Sequence, residues 1–321
     1  MTVTPALPTL PDGLTARPLT LADTAEVTRV MAAEQLQDIG SVEIEEADII
    51  GDWQRPGFDV EASTMGVFHV EHRPGGDRER LVAYVELTDP YRGDAAVDPA
   101  YQGRGIGTAL NGWLVELARS RGSDIVGMPV PQGSPGDRLL ESLGWFVRWT
   151  SWVLQLPDGK EIEAQPLPDG YSLRTAESGE DRRAVFGVIE DAFLEWSERE
   201  RRSFEEFVAV SVQRPGFEPW HLRLLTDPDG VAVGGCYLQM AAPEDDALSG
   251  PVGYVHSLAV RRDRRGLGLA RALLADAFSN AREHGAIRSE LATDSRTGAL
   301  GLYEKVGMEV TSTWVHRAVR L

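Results

Sequence analysis

The chain has 321 residues and a single cysteine, Cys236. It can form no internal disulfide and assemble no cysteine-based metal site, which suits a reducing cytoplasm. Cys236 lies in Val231-Ala232-Val233-Gly234-Gly235-Cys236-Tyr237-Leu238, a run that predicts a buried strand. There it reads as a small core hydrophobe rather than a nucleophile. Long apolar runs are missing too: none reaches the ~20 residues that a membrane-crossing helix needs. Met1 to Leu10 carries neither the basic region nor the apolar core of a secretory signal. Positive charge is in short supply, and the formal net charge is -18. That balance excludes a general nucleic-acid binder. It leaves attraction of a cationic substrate, or solubility alone.

What is present describes a globular protein, with 42% hydrophobic and 26% charged residues. The length suits two ordinary domains better than one core. Four short elements recur in the same order. Leu10-Pro11-Asp12-Gly13 returns as Leu167-Pro168-Asp169-Gly170, and Gln54-Arg55-Pro56-Gly57-Phe58 as Gln213-Arg214-Pro215-Gly216-Phe217. Gln102-Gly103-Arg104-Gly105-Ile106-Gly107 returns as Arg265-Gly266-Leu267-Gly268-Leu269-Ala270, and Leu143-Gly144 as Val306-Gly307. The displacement drifts only from 157 to 163 positions. Two copies of one domain are expected, over residues 1–157 and 166–321, with the polar segment 158–165 as linker.

Each half reads alike. A short strand (Thr15 to Arg17; Ser172 to Arg174) precedes a helical region, marked in the second half by Ala184, Val185, Val188, Ile189, Ala192 and Phe193 at helix spacing. Phe204, Phe207, Val208 and Val210 suggest a second helix. Strands follow at 67–70 and 81–87, and at 222–225 and 231–240. A strand over 253–260 runs into the glycine turn, and Leu269, Ala272, Leu273, Leu274 and Ala277 open an amphipathic helix that Gly285 ends. A strand at 287–293, a short helix at 298–305 and a strand at 309–319 complete the half. The fold class is mixed α/β, each domain a twisted, mostly antiparallel sheet flanked by helices.

Strand, glycine turn and helix together make an anion site. Glycine permits positive φ and close approach, and the first N–H groups of a helix lack intrahelical partners. Gly266, Leu267, Gly268, Leu269, Ala270 and Arg271 therefore offer backbone donors to a phosphate, and Gly103, Arg104, Gly105, Ile106, Gly107 and Thr108 do so in the first half. Neither turn has the Gly-Lys-Ser/Thr of a P-loop. A dinucleotide fingerprint would need a third glycine where Thr108 and Arg271 stand.

Gln102-x-x-Gly105-x-Gly107 and Arg265-x-x-Gly268-x-Ala270 both satisfy [Gln/Arg]-x-x-Gly-x-[Gly/Ala], and the chain thereby resembles the GNAT N-acetyltransferase superfamily. Ala299-Leu300-Gly301-Leu302-Tyr303-Glu304-Lys305-Val306-Gly307 is similar to that family's closing segment, with Arg296 where the family usually has Asn. The resemblance spans 166–321 and, more weakly, 10–157. It implies acetyl-CoA as cofactor, with the pyrophosphate on the turn and the pantetheine arm along the backbone of Leu258 and Val260. It also places Tyr303 near the thioester sulfur, where a phenol could donate to a developing thiolate.

His256 shares a face with Leu258 and Val260 if the strand alternates regularly. Serotonin N-acetyltransferases of animals carry His at this strand position, so a proton relay from the amine is one reading and a core histidine the other. Glu290 and Asp294 are back-up bases or ammonium anchors, or simply solvated. Asp191, Phe193, Glu195 and Trp196 could frame a cationic, partly apolar amine, or Phe193 and Trp196 could be core. Trp220 reads as packing. In the first half, Leu140 stands opposite Tyr303 and Gly93 opposite His256, so that half is expected to be catalytically silent, although its turn could still hold acyl-CoA. The expectation is acetyl-CoA-dependent N-acetylation of a small-molecule amine by the second domain. A non-catalytic acyl-CoA-binding or sensing protein is the alternative, with a mycothiol synthase-like acetyltransferase, also a tandem plan, ranked below both.

Overall fold

The computed structural model describes residues 5, 9–42, 44–55, 57–71, 78–163, 165–197, 199–241 and 250–321. Pro56 of the repeated Arg-Pro-Gly-Phe element, Ala164 of the expected linker and Met1 to Thr4 and 6–8 of the N-terminus lie outside them. The chain forms two compact units, residues 1–150 with 313–321, and residues 151–312.

The first unit contains, in chain order, β1 (Leu14–Arg17), α1 (Thr24–Asp38), α2 (Glu46–Trp53), α3 (Val60–Ser63), β2 (Thr64–Glu71), β3 (Arg78–Asp89), β4 (Arg92–Val97), α4 (Ile106–Ser120), β5 (Ile125–Pro131), α5 (Pro135–Ser142) and the start of β6 (Phe146–Gln155). The second contains the end of β6, then β7 (Ser172–Thr175), α6 (Gly179–Phe193), α7 (Phe204–Val210), β8 (Leu222–Thr226), β9 (Ala232–Ala241), β10 (Val252–Val260), α8 (Leu269–Glu283), β11 (Arg288–Asp294), α9 (Leu300–Lys305) and the start of β12 (Glu309–Arg320). Among the described residues no helix is long and apolar enough to cross a membrane.

Within the first unit β1 to β5 lie in sequence order, and β5 is flanked by the end of β12. Within the second, β7 to β11 lie in order, and β11 is flanked by the end of β6. Among the described residues, pairing within each unit is antiparallel except for β4 with β5 and β10 with β11. The expected boundaries at 157 and 166 therefore shift. By repeat position β6 and β12 are the same strand, yet the last part of each completes the other unit's sheet. Thr313–Leu321 consequently belongs with the first unit and Ser151 onward with the second. Part of the expected linker is core, because Ile162 is buried among Leu154, Leu156 and α8.

The helices form where their apolar stripes meet the sheet. On α8, Leu269, Leu273, Leu274, Ala277, Phe278 and Ala281 are buried against β9 and β10. Each large side chain withdrawn this way contributes roughly 1.5–3 kcal/mol. Gly268, at φ 77°, starts this helix and Gly285, at φ 97°, follows it, both in the left-handed region open to glycine. Cys236 is fully buried on β9, and its burial pushes the thiol far from ionisation. Trp220 stacks on His284 with ring centroids 3.9 Å apart, a packing role as expected.

A buried ion pair fixes β12 in the first unit. Arg317 Nε donates to Asp137 Oδ1 at 2.5 Å, and its Nη1 donates to the Trp145 carbonyl at 3.0 Å. Asp137 also accepts from the Gly133 N–H at 2.7 Å. Arg317→Ala leaves this buried carboxylate without its cation, and the expected loss is about 3–5 kcal/mol in a denaturant melt. A loss under about 1 kcal/mol would remove the pair as the anchor of the exchanged strand.

Candidate active site

The second unit opens a cavity of about 720 Å³, within the usual range for ligand pockets. Its wall begins where β10 and β11 part. They pair only from Val252 to Val255 with Arg288 to Leu291, and beyond that point Ser257 to Val260 have no partner on β11. The Arg261 N–H bonds to Val233 on β9. By strand alternation, Leu258 and Val260 turn their backbone groups the other way, into the gap. A gap of this kind exposes backbone donors and acceptors to anything extended that enters it.

The gap ends at the turn. Gly266 and Gly268 have φ of 84° and 77°, and Gly268 caps α8. The first intrahelical bond there is Ala272 N–H to Gly268 C=O, so the preceding N–H groups of Leu269, Ala270 and Arg271 lack helical partners. Arg264, Arg265 and Arg271 line the same cavity. The arrangement suits a diphosphate.

Arg265 itself is a brace. Its Nε donates to the Val260 carbonyl at 3.1 Å, while Nη1 and Nη2 form a two-pronged pair with Glu195 at 2.9 and 2.8 Å. Of the motif, backbone groups remain free for phosphate while the Arg265 side chain ties the strand end to the segment after α6. The first unit repeats the geometry without charge. Gln102 Nε2 donates to the Val97 carbonyl at 3.2 Å, and Gln37 donates to Gln102 at 3.1 Å.

His256 and Tyr303 both line the cavity. Regular alternation fails at His256: the register of β10 on β9 shifts between Val255 and Ser257, making His256 the extra residue of a β-bulge. Val255, not His256, therefore packs in the core cluster that includes Leu258 and Val260. His256 faces the cavity near Tyr237, with ring centroids 5.5 Å apart. The residue is exposed to the cavity, while the protein around it withdraws part of the ring from bulk water. This burial, then the charges of Arg202 and Arg214, holds the imidazole below its ordinary pKa. Tyr303 is 8% exposed, and burial pushes its phenol up to about 12. Among the described residues its hydroxyl has no hydrogen-bond partner.

The carboxylates expected to frame a cationic amine are committed to arginines. Glu195 holds Arg265. Asp294 pairs with Arg296 at 2.6 Å, and Arg296 lies 4.8 Å over the Trp196 ring. Asp191 pairs with Arg201 and stays outside the cavity wall. Glu290 also stays outside, 4.0 Å from Arg288, and burial raises its pKa. Trp196, Phe193 and Asp294 line the cavity. No group of three or more His, Cys, Asp or Glu residues able to hold a metal is found among the described residues.

The first unit differs at each of these points. Its strands β4 and β5 pair only at Arg92, and the cleft beyond holds about 80 Å³. Leu140 takes the place of Tyr303: the Trp145 N–H bonds the Leu140 carbonyl as the Met308 N–H bonds that of Tyr303. At Gly93 an added Cβ would lie 2.6 Å from the buried Leu114 and 3.2 Å from the Glu86 carbonyl oxygen, so a side chain at the counterpart of His256 would have to displace Leu114. Neither the bulge nor the arginines near His256 leave a mark in the sequence. Only the brace had a signal, the paired placement of Gln37 and Glu195 before each turn.

Comparison with known proteins identifies the family. The acetyltransferase (GNAT) family matches residues 34–144 and again 185–308. A mycothiol acetyltransferase from Sanguibacter keddieii is 30% identical over 304 residues, 90% of this chain and 91% of that one. Another from Thermobispora bispora is 30% identical over 238 residues, 72% and 77% of the two chains. A GCN5-related N-acetyltransferase from Sphaerobacter thermophilus superposes with TM-score 0.77 at 29% identity, covering 97% of each chain. A tandem GNAT protein from the clavulanic acid biosynthesis pathway shares the fold at TM-score 0.68 and 19% identity, over 96% of this chain and 98% of that one. The chain is an acetyltransferase of the GNAT family, with two copies of the family's domain.

Proposed function

We propose that the protein transfers the acetyl group of acetyl-CoA to the amine of a small molecule, and that the second unit performs the chemistry. One observation carries this reading. Among the described residues, only in that unit do an open cavity, a phosphate-suited turn, the unpaired strand backbone, Tyr303 and His256 converge. Acetyl-CoA would lie with its pyrophosphate on Gly266 to Arg271 and its pantetheine arm against Leu258 and Val260.

The depressed pKa keeps His256 neutral at pH 7, so it can accept a proton from the incoming ammonium, directly or through water. The free amine adds to the thioester carbonyl. Collapse of the tetrahedral adduct breaks the C–S bond, and the adduct's N–H proton leaves with the thiolate or to solvent. A phenol near pKa 12 does not readily surrender its proton to a thiolate conjugate to an acid near 8.5. Tyr303 acts instead by donating a hydrogen bond as charge gathers on sulfur.

Free-thiol release with a panel of small amines tests the reading. Binding of acetyl-CoA without turnover on any amine would favour the acyl-CoA-sensing alternative. A narrower reading has its own support: relatives at 30% identity, one over 91% of its length, are named mycothiol acetyltransferase. Turnover with the acceptor of those enzymes, and with no other amine, would establish it.

Tyr303→Phe should lower kcat by about 10²-fold, the effect of one transition-state donor, with little change in KM for acetyl-CoA. Wild-type kcat in this variant would remove Tyr303 from the chemistry. Arg265→Ala should raise that KM about tenfold, some 1.4 kcal/mol, Glu195→Ala by less because the bond to the Val260 carbonyl stays, and the double variant no further than Arg265→Ala. Additive effects would mean that the two side chains act separately.

The sign of the pH dependence follows from His256. A base must be unprotonated, and its pKa lies below the ordinary 6.5, so kcat/KM should climb with pH along an acid limb centred below 6.5 and level off near neutrality. Arg214→Ala removes one depressing charge and should move that limb to higher pH. His256→Gln should abolish the limb and lower kcat/KM about 10²-fold. A limb that persists in His256→Gln belongs to another group.

A further inference from the structure

One of the differences between the two units lies at the unpaired end of β4. In the first unit the N–H of Val97, at the end of β4, is the counterpart of that of Val260. It donates to Glu34 Oε1 at 3.1 Å. Glu34 reaches across from the last turns of α1, and its side chain lines the cleft together with Asp38, Ala95, Asn111 and Leu139. The cleft volume left is about 80 Å³, against about 720 Å³ in the second unit.

The counterpart of Glu34 follows from the braces. Gln37 and Glu195 both hold the first side chain of their turn, Gln102 and Arg265, so α1 and α6 correspond at a displacement of 158, between the 157 and 159 of the flanking repeats. Glu34 then corresponds to Ala192, which lines the open cavity with only a methyl group. A carboxyl side chain thus fills the place that Ala192 leaves empty, and it takes the strand-end N–H.

We propose that Glu34 seals the first unit's cleft by occupying the backbone donor an acyl-CoA arm would need, so the chain binds one acyl-CoA, in the second unit, and carries a latent second site. The proposal rests on the reading that the second cleft holds acetyl-CoA. Two further features fit. Enclosure in the cleft pushes the Glu34 carboxyl up to about 8, so at neutral pH the seal is mostly an uncharged acid whose carbonyl oxygen still accepts from Val97. Leu139 also leans over the turn: an added Cβ on Gly107 would lie 2.8 Å from its Cδ2. Being the end of a flexible side chain, it can turn aside once Glu34 is gone.

Titration calorimetry and native mass spectrometry of the full chain with acetyl-CoA test the proposal. The wild type should bind one equivalent. Glu34→Ala should bind two, with kcat unchanged because the first unit has Leu140 and Gly93 where the second has Tyr303 and His256. Glu34→Gln keeps a carbonyl acceptor of the same length and should stay at one. Two equivalents on the wild type overturn the proposal, and a Glu34→Ala protein that stays at one removes Glu34 as the seal. No binding to the wild type is a different result, because it defeats the acetyl-CoA reading itself.

Discussion

The parting of two parallel strands governs both units. A β-strand that loses its neighbour leaves N–H and C=O groups that must find other partners, since an unpaired buried backbone group costs free energy. In the second unit the groups left at the strand end are those of Val260. Its carbonyl is taken by Arg265, and its N–H faces a cavity large enough for a ligand. In the first unit the corresponding carbonyl is taken by Gln102 and the N–H by Glu34, and the protein closes the account internally. The same backbone defect is an open site in one copy and a satisfied core in the other.

That constraint also explains why the signature residue is Gln or Arg. The position needs a donor long enough to reach back five residues to the strand-end carbonyl with capacity left for a second partner. Gln102 meets Gln37 there, and Arg265 meets Glu195. Arginine allows a two-pronged pair with a carboxylate, which ties the segment carrying Trp196 to the turn. The arginines around the cleft are then balanced locally: Glu195, Asp294 and Asp227 pair with Arg265, Arg296 and Arg264. A net charge of -18 therefore describes the whole chain and not the surface a substrate meets.

Much of this was legible in the residues. The repeated Arg-Pro-Gly-Phe and glycine-turn elements identified two domains of one kind, and periodicity placed the elements to within a few residues: the helix expected to open at Leu269 is Leu269–Glu283, and the strand expected at 287–293 is Arg288–Asp294. Three features were not legible, each for a physical reason. The bulge at His256 adds one residue to a strand whose sequence gives no interruption, so alternation misplaced the histidine's face. Carboxylates such as Glu195 look like ligand anchors until their distant partners are known, 70 positions away in the case of Arg265. The exchange of β6 and β12 depends on which of two near-equivalent edges each strand joins, and hydrophobic pattern alone cannot choose between equivalent edges.

The exchange bears on why a unit with a closed cleft is retained at all. The second unit's core includes Leu154 and Leu156, residues that the repeat would give to the first domain. The first unit's sheet ends on Thr313–Leu321, which the repeat would give to the second. Arg317, on that returning strand, is the cation of a buried carboxylate in the first unit. Cutting the chain at the repeat boundary would therefore remove an edge strand from one unit and leave Asp137 buried without its cation. The Tyr303-bearing unit depends on the first half for the strand beside β11, the strand whose divergence from β10 opens its cleft. The second unit's cleft therefore cannot be separated from the chain that precedes the repeat boundary, whether or not the first cleft holds a ligand.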